Sequence, residues 1–143
     1  MTAKIVPYKA EHLLALRLQD SQRYYREHIT QEYASALEQV LSFSVVGDDG
    51  IVYACGGITE LWENRAVLWS VMSERAGEVM VQIVRAVKRY LDIAPYRRIE
   101  ADVDVDFEQG HRLLRMLGFQ VECERMRAYR VDGGDSALYS KVK

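Results

Sequence analysis

A strand–helix–strand run in the middle of the chain constrains the fold more than any other feature. RAVLWSVM (65–72) is an apolar-rich stretch of strand length. Residues 77–91 then place Val79, Met80, Ile83, Val84, Val87 and Leu91 on one stripe, with Gln82, Arg85, Lys88 and Arg89 opposite. Pro95 stops that helix, and RRIEADVDVD alternates. Ile99, Ala101, Val103 and Val105 share one side, and Glu100, Asp102 and Asp104 share the other, read as solvent-facing. A helical crossover of this length joins parallel strands, and does so with a right-handed turn.

The flanking segments are antiparallel in character. SFSVVG (42–47) and IVYACGGIT (51–59) flank Asp48-Asp49 with glycines at both ends, a hairpin signal. Residues 65–72 extend that meander. AKIVPY (3–8), interrupted by Pro7, suits an edge strand. From Ala10, AEHLLALRLQ predicts a helix with Leu13, Leu14, Leu16 and Leu18 on its apolar face. A second helix, TQEYASALEQV, opens at Thr30 as N-cap, with Glu32 in its first turn. FEQGHRLLRML predicts a short helix stopped by Gly118, and FQVECERMRAYRV and ALYSKV a last strand pair around 132–135. The order is β α α β β β α β α β β.

With 143 residues, 49% of them hydrophobic, the chain is sized for one domain, 1–143, around one core. Nineteen basic against twenty-one acidic residues leave a charge of −2, which argues against a nucleic-acid partner. Apolar runs fall short of the ~20 residues of a membrane span, and the first residues have no hydrophobic signal core, so a cytoplasmic protein is expected. Cys55 and Cys123 stand apart, without the spacing of a metal or disulfide framework. Both are read as small buried residues.

The element order, RAVLWSVM running into SERAGEVMVQIVRAVKRYL, and RRIEADV followed by a helix ending RMLGF together resemble the GNAT superfamily of acyl-CoA-dependent N-acetyltransferases, over nearly the whole chain. RMLGF is similar to that family's YEKLGF ending, and GHRLLRMLGF also resembles small GNAT-like proteins of tailed phages. The resemblance implies an α+β fold: a mixed, mostly antiparallel twisted sheet with one parallel pair (65–72 with 98–105) and helices on both faces. It implies transfer of an acetyl group from acetyl-CoA to an amine on a small molecule or protein. The competing implication is a GNAT-fold module without turnover, such as a phage protein engaging a host enzyme in the host cytoplasm. A monomer or homodimer is expected.

In the family, the loop opening the central helix reads [Gln/Arg]-x-x-Gly-x-[Gly/Ala], and its backbone N–H groups meet the coenzyme A diphosphate. The resemblance assigns that role to Val71, Ser73, Arg75, Ala76, Gly77, Glu78 and Val79, with Arg112 and Arg115 as further phosphate partners. Glu78 and Met80 stand where small residues belong, and Gly77 is one place off. The family's Asn and its acidic Tyr fall at Phe107 and Leu114. Glu60 is then the candidate base for the amine, against a solvated strand-end carboxylate. His111 is the candidate proton donor to the thiolate, against a surface helix histidine facing outward. Ser70, with Val71, is placed to polarise the thioester carbonyl through backbone N–H, against a buried serine bonded to backbone. The aromatic run around Tyr24, Tyr25 and Tyr33 marks the acceptor side, and Trp62 and Trp69 are expected to pack in the sheet. No metal is expected from Glu100, Asp102 and Asp104, which no histidine joins.

Overall fold

The computed structural model describes residues 2–143. Its elements are β1 (Ala3–Pro7), α1 (Ala10–Ala15), a 3-10 segment (Asp20–His28), α2 (Gln31–Ala36), a 3-10 turn (Leu37–Gln39), β2 (Leu41–Gly47), β3 (Val52–Trp62), β4 (Arg65–Met72), a 3-10 turn (Ala76–Val79), α3 (Met80–Ile93), β5 (Arg98–Asp104), α4 (Glu108–Met116), β6 (Gln120–Met126) and β7 (Ser136–Val142). The seven strands order as β1-β2-β3-β4-β5-β7-β6. β4 and β5 run parallel as the crossover requires, but pair only over Arg65–Val67 against Arg98–Glu100. β1–β2, β2–β3, β5–β7 and β6–β7 are antiparallel. The fold class read from the sequence is the one found.

Contacts cluster into two units, the first running to Thr59 and including Trp69–Ala86, the second comprising Glu60–Leu68 and Val87–Lys143. In the first unit, Thr30 caps α2 as expected, its Oγ1 accepting from the Tyr33 N–H at 3.1 Å. The hairpin turns through Gly50 at φ +82°, with Asp49 Oδ1 accepting from the Ile51 N–H at 3.0 Å. α1 is shorter than its leucine pattern predicts. Leu16 is already extended (φ −70°, ψ 132°), and residues 17–19 leave the helix to pair with the end of β4. Glu74 N–H donates to Arg17 O at 2.9 Å and Gln19 N–H to Met72 O at 3.0 Å. Helix propensity is worth tenths of a kcal/mol per residue, and two tertiary hydrogen bonds outweigh it. Leu13, Leu16 and Leu18 are buried either way, which is why the pattern misleads.

The core of this unit gathers Tyr8, Leu13, Leu16, Leu18, Ile29, Ala34, Cys55 and Val71. Trp69 packs at its margin, edge-on to Tyr8 at 6.1 Å between ring centroids, as expected of a sheet tryptophan. Trp62, in the second unit, is instead 55% exposed and carries the Arg65 guanidinium 4.6 Å from its ring centroid. Cys55 is buried, whereas Cys123 is only half-buried.

In the second unit α4 ends in the predicted glycine. Gly118 has φ +93°, its N–H donates to Arg115 O, and Phe119 N–H reaches back to Leu114 O, both at 3.0 Å. The charged face of β5 corrects the solvent assignment for Glu100, which is 8% exposed. Arg65 grips it with two bonds, at 2.6 and 2.9 Å, and Arg98 Nε adds a third at 2.6 Å. Arg98 then turns its other two nitrogens to Glu122 at 2.7 and 2.9 Å, and Ser140 Oγ donates to the same carboxylate. A buried carboxylate is tolerable here because two fixed guanidiniums replace its water.

The Glu122 carboxyl is held down to about 2, first by Arg98 and then by Ser140, from an ordinary value of 4.5. A depressed carboxyl stabilises the fold fully above its unfolded value and loses that contribution as pH falls through its folded value. Stability attributable to this pair is therefore present above about pH 4.5 and lost as pH falls toward 2. Carbon-detected NMR titration of Glu122 should give a midpoint near 2, returning toward 4.5 in Arg98→Ala.

Candidate active site

The loop that follows β4 begins with a buried Ser73. Its N–H donates to Tyr53 O at 2.9 Å, and its Oγ accepts from the Arg75 N–H at 3.0 Å. Ala76 N–H then donates to Ser73 O, Glu78 N–H to Arg75 O and Met80 N–H to Gly77 O. With Glu74 N–H on Arg17 O, the amides of residues 74, 75, 76, 78 and 80 all donate within the chain. These five amides are therefore engaged within the chain. The 3-10 turn closes its bonds one residue earlier than an α-helix would, and so consumes donors the helix start would have left open. Gly77 is exposed, with no atom within 4 Å of where a side chain would begin.

Arg75 and Glu78 neutralise one another. The guanidinium gives Nε and Nη2 to the two carboxylate oxygens at 2.8 and 3.0 Å, and lies 5.6 Å from the Tyr53 ring centroid. Arg75 holds the Glu78 carboxyl below the usual carboxylate range. Glu78 therefore does not stand as a bare charge against an anion, and Arg75 is not a free phosphate ligand. Val71, Ala76 and Val79 turn their side chains into the core at 7%, 3% and 2% exposure, leaving only their backbone for a ligand.

Ser70 is exposed, not a buried serine bonded to backbone. Its carbonyl accepts from Gln22 Nε2 at 2.9 Å, and Met72 N–H donates to Gln22 Oε1 at 2.9 Å. Gln19 Nε2 steadies the same oxygen at 2.8 Å. Strand alternation puts Ser70, Met72 and Glu74 on one edge of β4, while Ser73, and Val71 with it, face β3 through Tyr53. The donor on that edge is thus Met72 N–H, taken up by Gln22, and the sequence pattern did not single it out.

Glu60, Arg112, Arg115 and His111 belong to the second unit, and the loop to the first. Glu60 is exposed on β3 and bonds the Tyr96 hydroxyl, which burial first and this carboxylate second push above its ordinary range. His111 does not face outward. Its Nδ1 lies 2.7 Å from Tyr139 Oη and its Nε2 2.9 Å from Val105 O. A carbonyl only accepts, so Nε2 carries the proton and Nδ1 accepts from the tyrosine. Both nitrogens are engaged in tying α4 to β7 and to the end of β5. Arg115 reaches the same hydroxyl at 3.4 Å and Glu108 at 3.5 Å. Arg112 is exposed and makes no ion pair among the described residues. Leu114, at the family's tyrosine position, is 7% exposed.

The first unit also holds a polar chain absent from the sequence reading. His12 Nδ1 lies 2.8 Å from Ser44 Oγ, which in turn lies 3.5 Å from Cys55 Sγ. Burial pushes the Cys55 thiol up to about 11, and lowers His12. The thiol is inert at neutral pH. No group of three or more His, Cys, Asp or Glu able to hold a metal occurs among the described residues.

Removing the His111 ring would strand a tyrosine hydroxyl on a residue only 3% exposed, together with the Val105 carbonyl. His111→Ala should cost roughly 1–3 kcal/mol in urea unfolding. Nitrogen NMR should show the Nε2–H tautomer in the wild type.

No protein-family model matches the chain, and no curated protein matches it. Solved structures do. Ard1 from Thermoplasma volcanium superimposes with a TM-score of 0.80 at 13% identity, over 99% of this chain and 98% of that one. A GNAT-family acetyltransferase from Bacillus anthracis gives 0.72 at 13% identity, over 99% and 95%. The ribosomal-protein-S5-alanine acetyltransferase from Vibrio fischeri gives 0.67 at 18% identity, over 99% and 93%. At these identities the likeness establishes the fold: the chain has the GNAT architecture from end to end. No described helix is long and apolar enough to cross a membrane.

Proposed function

We propose that the chain is an acyl-CoA-dependent N-acyltransferase acting as one domain in the cytoplasm, moving an acetyl group from acetyl-CoA to an amine on a small molecule or protein. The observation that carries this reading is the likeness to solved structures over 99% of the chain, among them the GNAT-family acetyltransferase from Bacillus anthracis with a TM-score of 0.72. Two local features support it. The parallel pairing of β4 with β5 stops after three residues, leaving the rest of β4 without β5 as a partner. The loop beyond β4 then turns its one unobstructed backbone position, Gly77, outward at the start of the helical run.

In the reaction, the amine nitrogen attacks the thioester carbonyl carbon; a C–N bond forms and the C–S bond breaks. The amine must first lose a proton, and Glu60 is the exposed carboxylate proposed to accept it, directly or through water. The backbone N–H of Ser70 polarises the carbonyl, a role that needs no particular side chain. The departing thiolate takes its proton from solvent, since Leu114 has none to give and both nitrogens of His111 are held. Catalysis by orientation is the larger share of what remains.

A second reading, a GNAT-fold module that binds another protein without turnover, is favoured by Leu114 and by the loop amides already spent within the chain. Calorimetry with acetyl-CoA separates the two. A saturable heat is expected, weakened about tenfold in Gly77→Trp, as a bulky group blocks backbone approach. Free thiol should then be released with pooled amines. No heat at millimolar acetyl-CoA overturns the enzyme reading, and binding without thiol release selects the module.

A further inference from the structure

The Gln22 carboxamide is bound to β4 as a neighbouring peptide group would be. Its Nε2–H donates to Ser70 O at 2.9 Å and its Oε1 accepts from Met72 N–H at 2.9 Å, the paired contact that an added strand makes with residues i and i+2 of an edge. Below it, real backbone continues the same ladder: Gln19 N–H on Met72 O and Glu74 N–H on Arg17 O, around the Leu18–Ser73 bridge. The last rung alone is made by a side chain. A primary carboxamide offers one acceptor and a donor in the geometry of a peptide unit, so this rung is a site for an amide group.

Two further observations bear on how firmly the rung is closed. Gln22 is only half-buried, on a 3-10 segment none of whose residues is buried. The residues next to this contact in sequence, Ser21 and Trp69, each keep a buried polar atom without a partner, Oγ and Nε1. Buried groups without partners are costly, and these two flank in sequence the residues that make the contact.

We propose that Gln22 is a displaceable internal stand-in for an amide-bearing ligand, and gates the Ser70–Met72 edge of β4. Resting on the acyltransferase reading, the ligand is the amide-linked pantetheine arm of an acyl-CoA, whose carbonyl and N–H take over the bonds that Gln22 releases. Free protein keeps the edge satisfied, and ligand competes with a tethered amide for it. Apparent affinity is then reduced by the fraction of molecules in which Gln22 is in place.

Binding of coenzyme A and of adenosine 3′,5′-bisphosphate, which lacks the amide arm, is measured by calorimetry on the wild type, Gln22→Ala and Gln22→Met. The methionine variant keeps the length and packing of the side chain and removes its hydrogen bonds, so it stands in if the alanine variant fails to fold. Coenzyme A should bind the variants about tenfold more tightly, the size of one net intramolecular hydrogen-bond pair, with bisphosphate unchanged. Equal coenzyme A affinity in all three proteins overturns the gate and leaves the acyltransferase reading standing. Weaker binding in the variants also overturns it, by making Gln22 part of the ligand's own site. No coenzyme A binding to any of the three overturns both.

Discussion

A β-strand presents a hydrogen-bonding edge that has to be met, and on β4 it is met in two different ways. Over Arg65–Val67 the partner is another strand, β5. Over Ser70–Glu74 it is the chain's own residues 17–22, first through backbone and then through a carboxamide. An edge without partners would cost free energy at each buried amide or recruit a foreign strand. The short α1, the extended run after Ala15 and the 3-10 segment that follows are all consequences of supplying that partner locally. The Gln22 rung is the one part of this ladder made by a side chain instead of backbone.

The crossover 65–105 was legible because its pattern has a single solution: strand period, then helix period with an apolar stripe, then strand period again. Gly118 and Thr30 were legible for a similar reason, since a left-handed glycine and a side-chain cap act within a few residues of sequence. The resemblance to acetyltransferases added what periodicity could not, the fold as a whole. What stayed hidden depended on tertiary partners. Leu16 and Leu18 bury equally well on a helix or on a strand bonded to β4, so their spacing carried no information about which would form. Glu100 alternates with apolar residues like any solvent-facing carboxylate, and only Arg65 and Arg98, converging from two strands, reveal that it is enclosed. Gln22 had no signal at all, because its importance lies in a contact 48 residues away.

Within each unit taken by itself, the charge of the candidate residues is arranged so that little of it is unpaired. Arg75 is closed on Glu78, and Arg115 leans on Glu108 and Tyr139. His111 is fixed at both nitrogens. Paired charges cancel at a distance, so little field projects from these residues in either unit. That is consistent with an overall charge of only −2. The same economy explains why the residue types alone were poor guides: Arg75, Arg115 and His111 each have a neighbour that claims them, while Arg112 makes no ion pair among the described residues.

Cys55 lies at the centre of the first unit's core, two bonds from His12 through Ser44, an order that in the sequence of contacts mimics a nucleophile with its base. Burial reverses the meaning of that order. A thiol pushed to about 11 carries almost no thiolate at neutral pH, and without thiolate it does not exchange with a thioester. Burial thereby keeps the core sulfur in its unreactive thiol form, so that its neighbours His12 and Ser44 tie the strand to the helix and do not activate it.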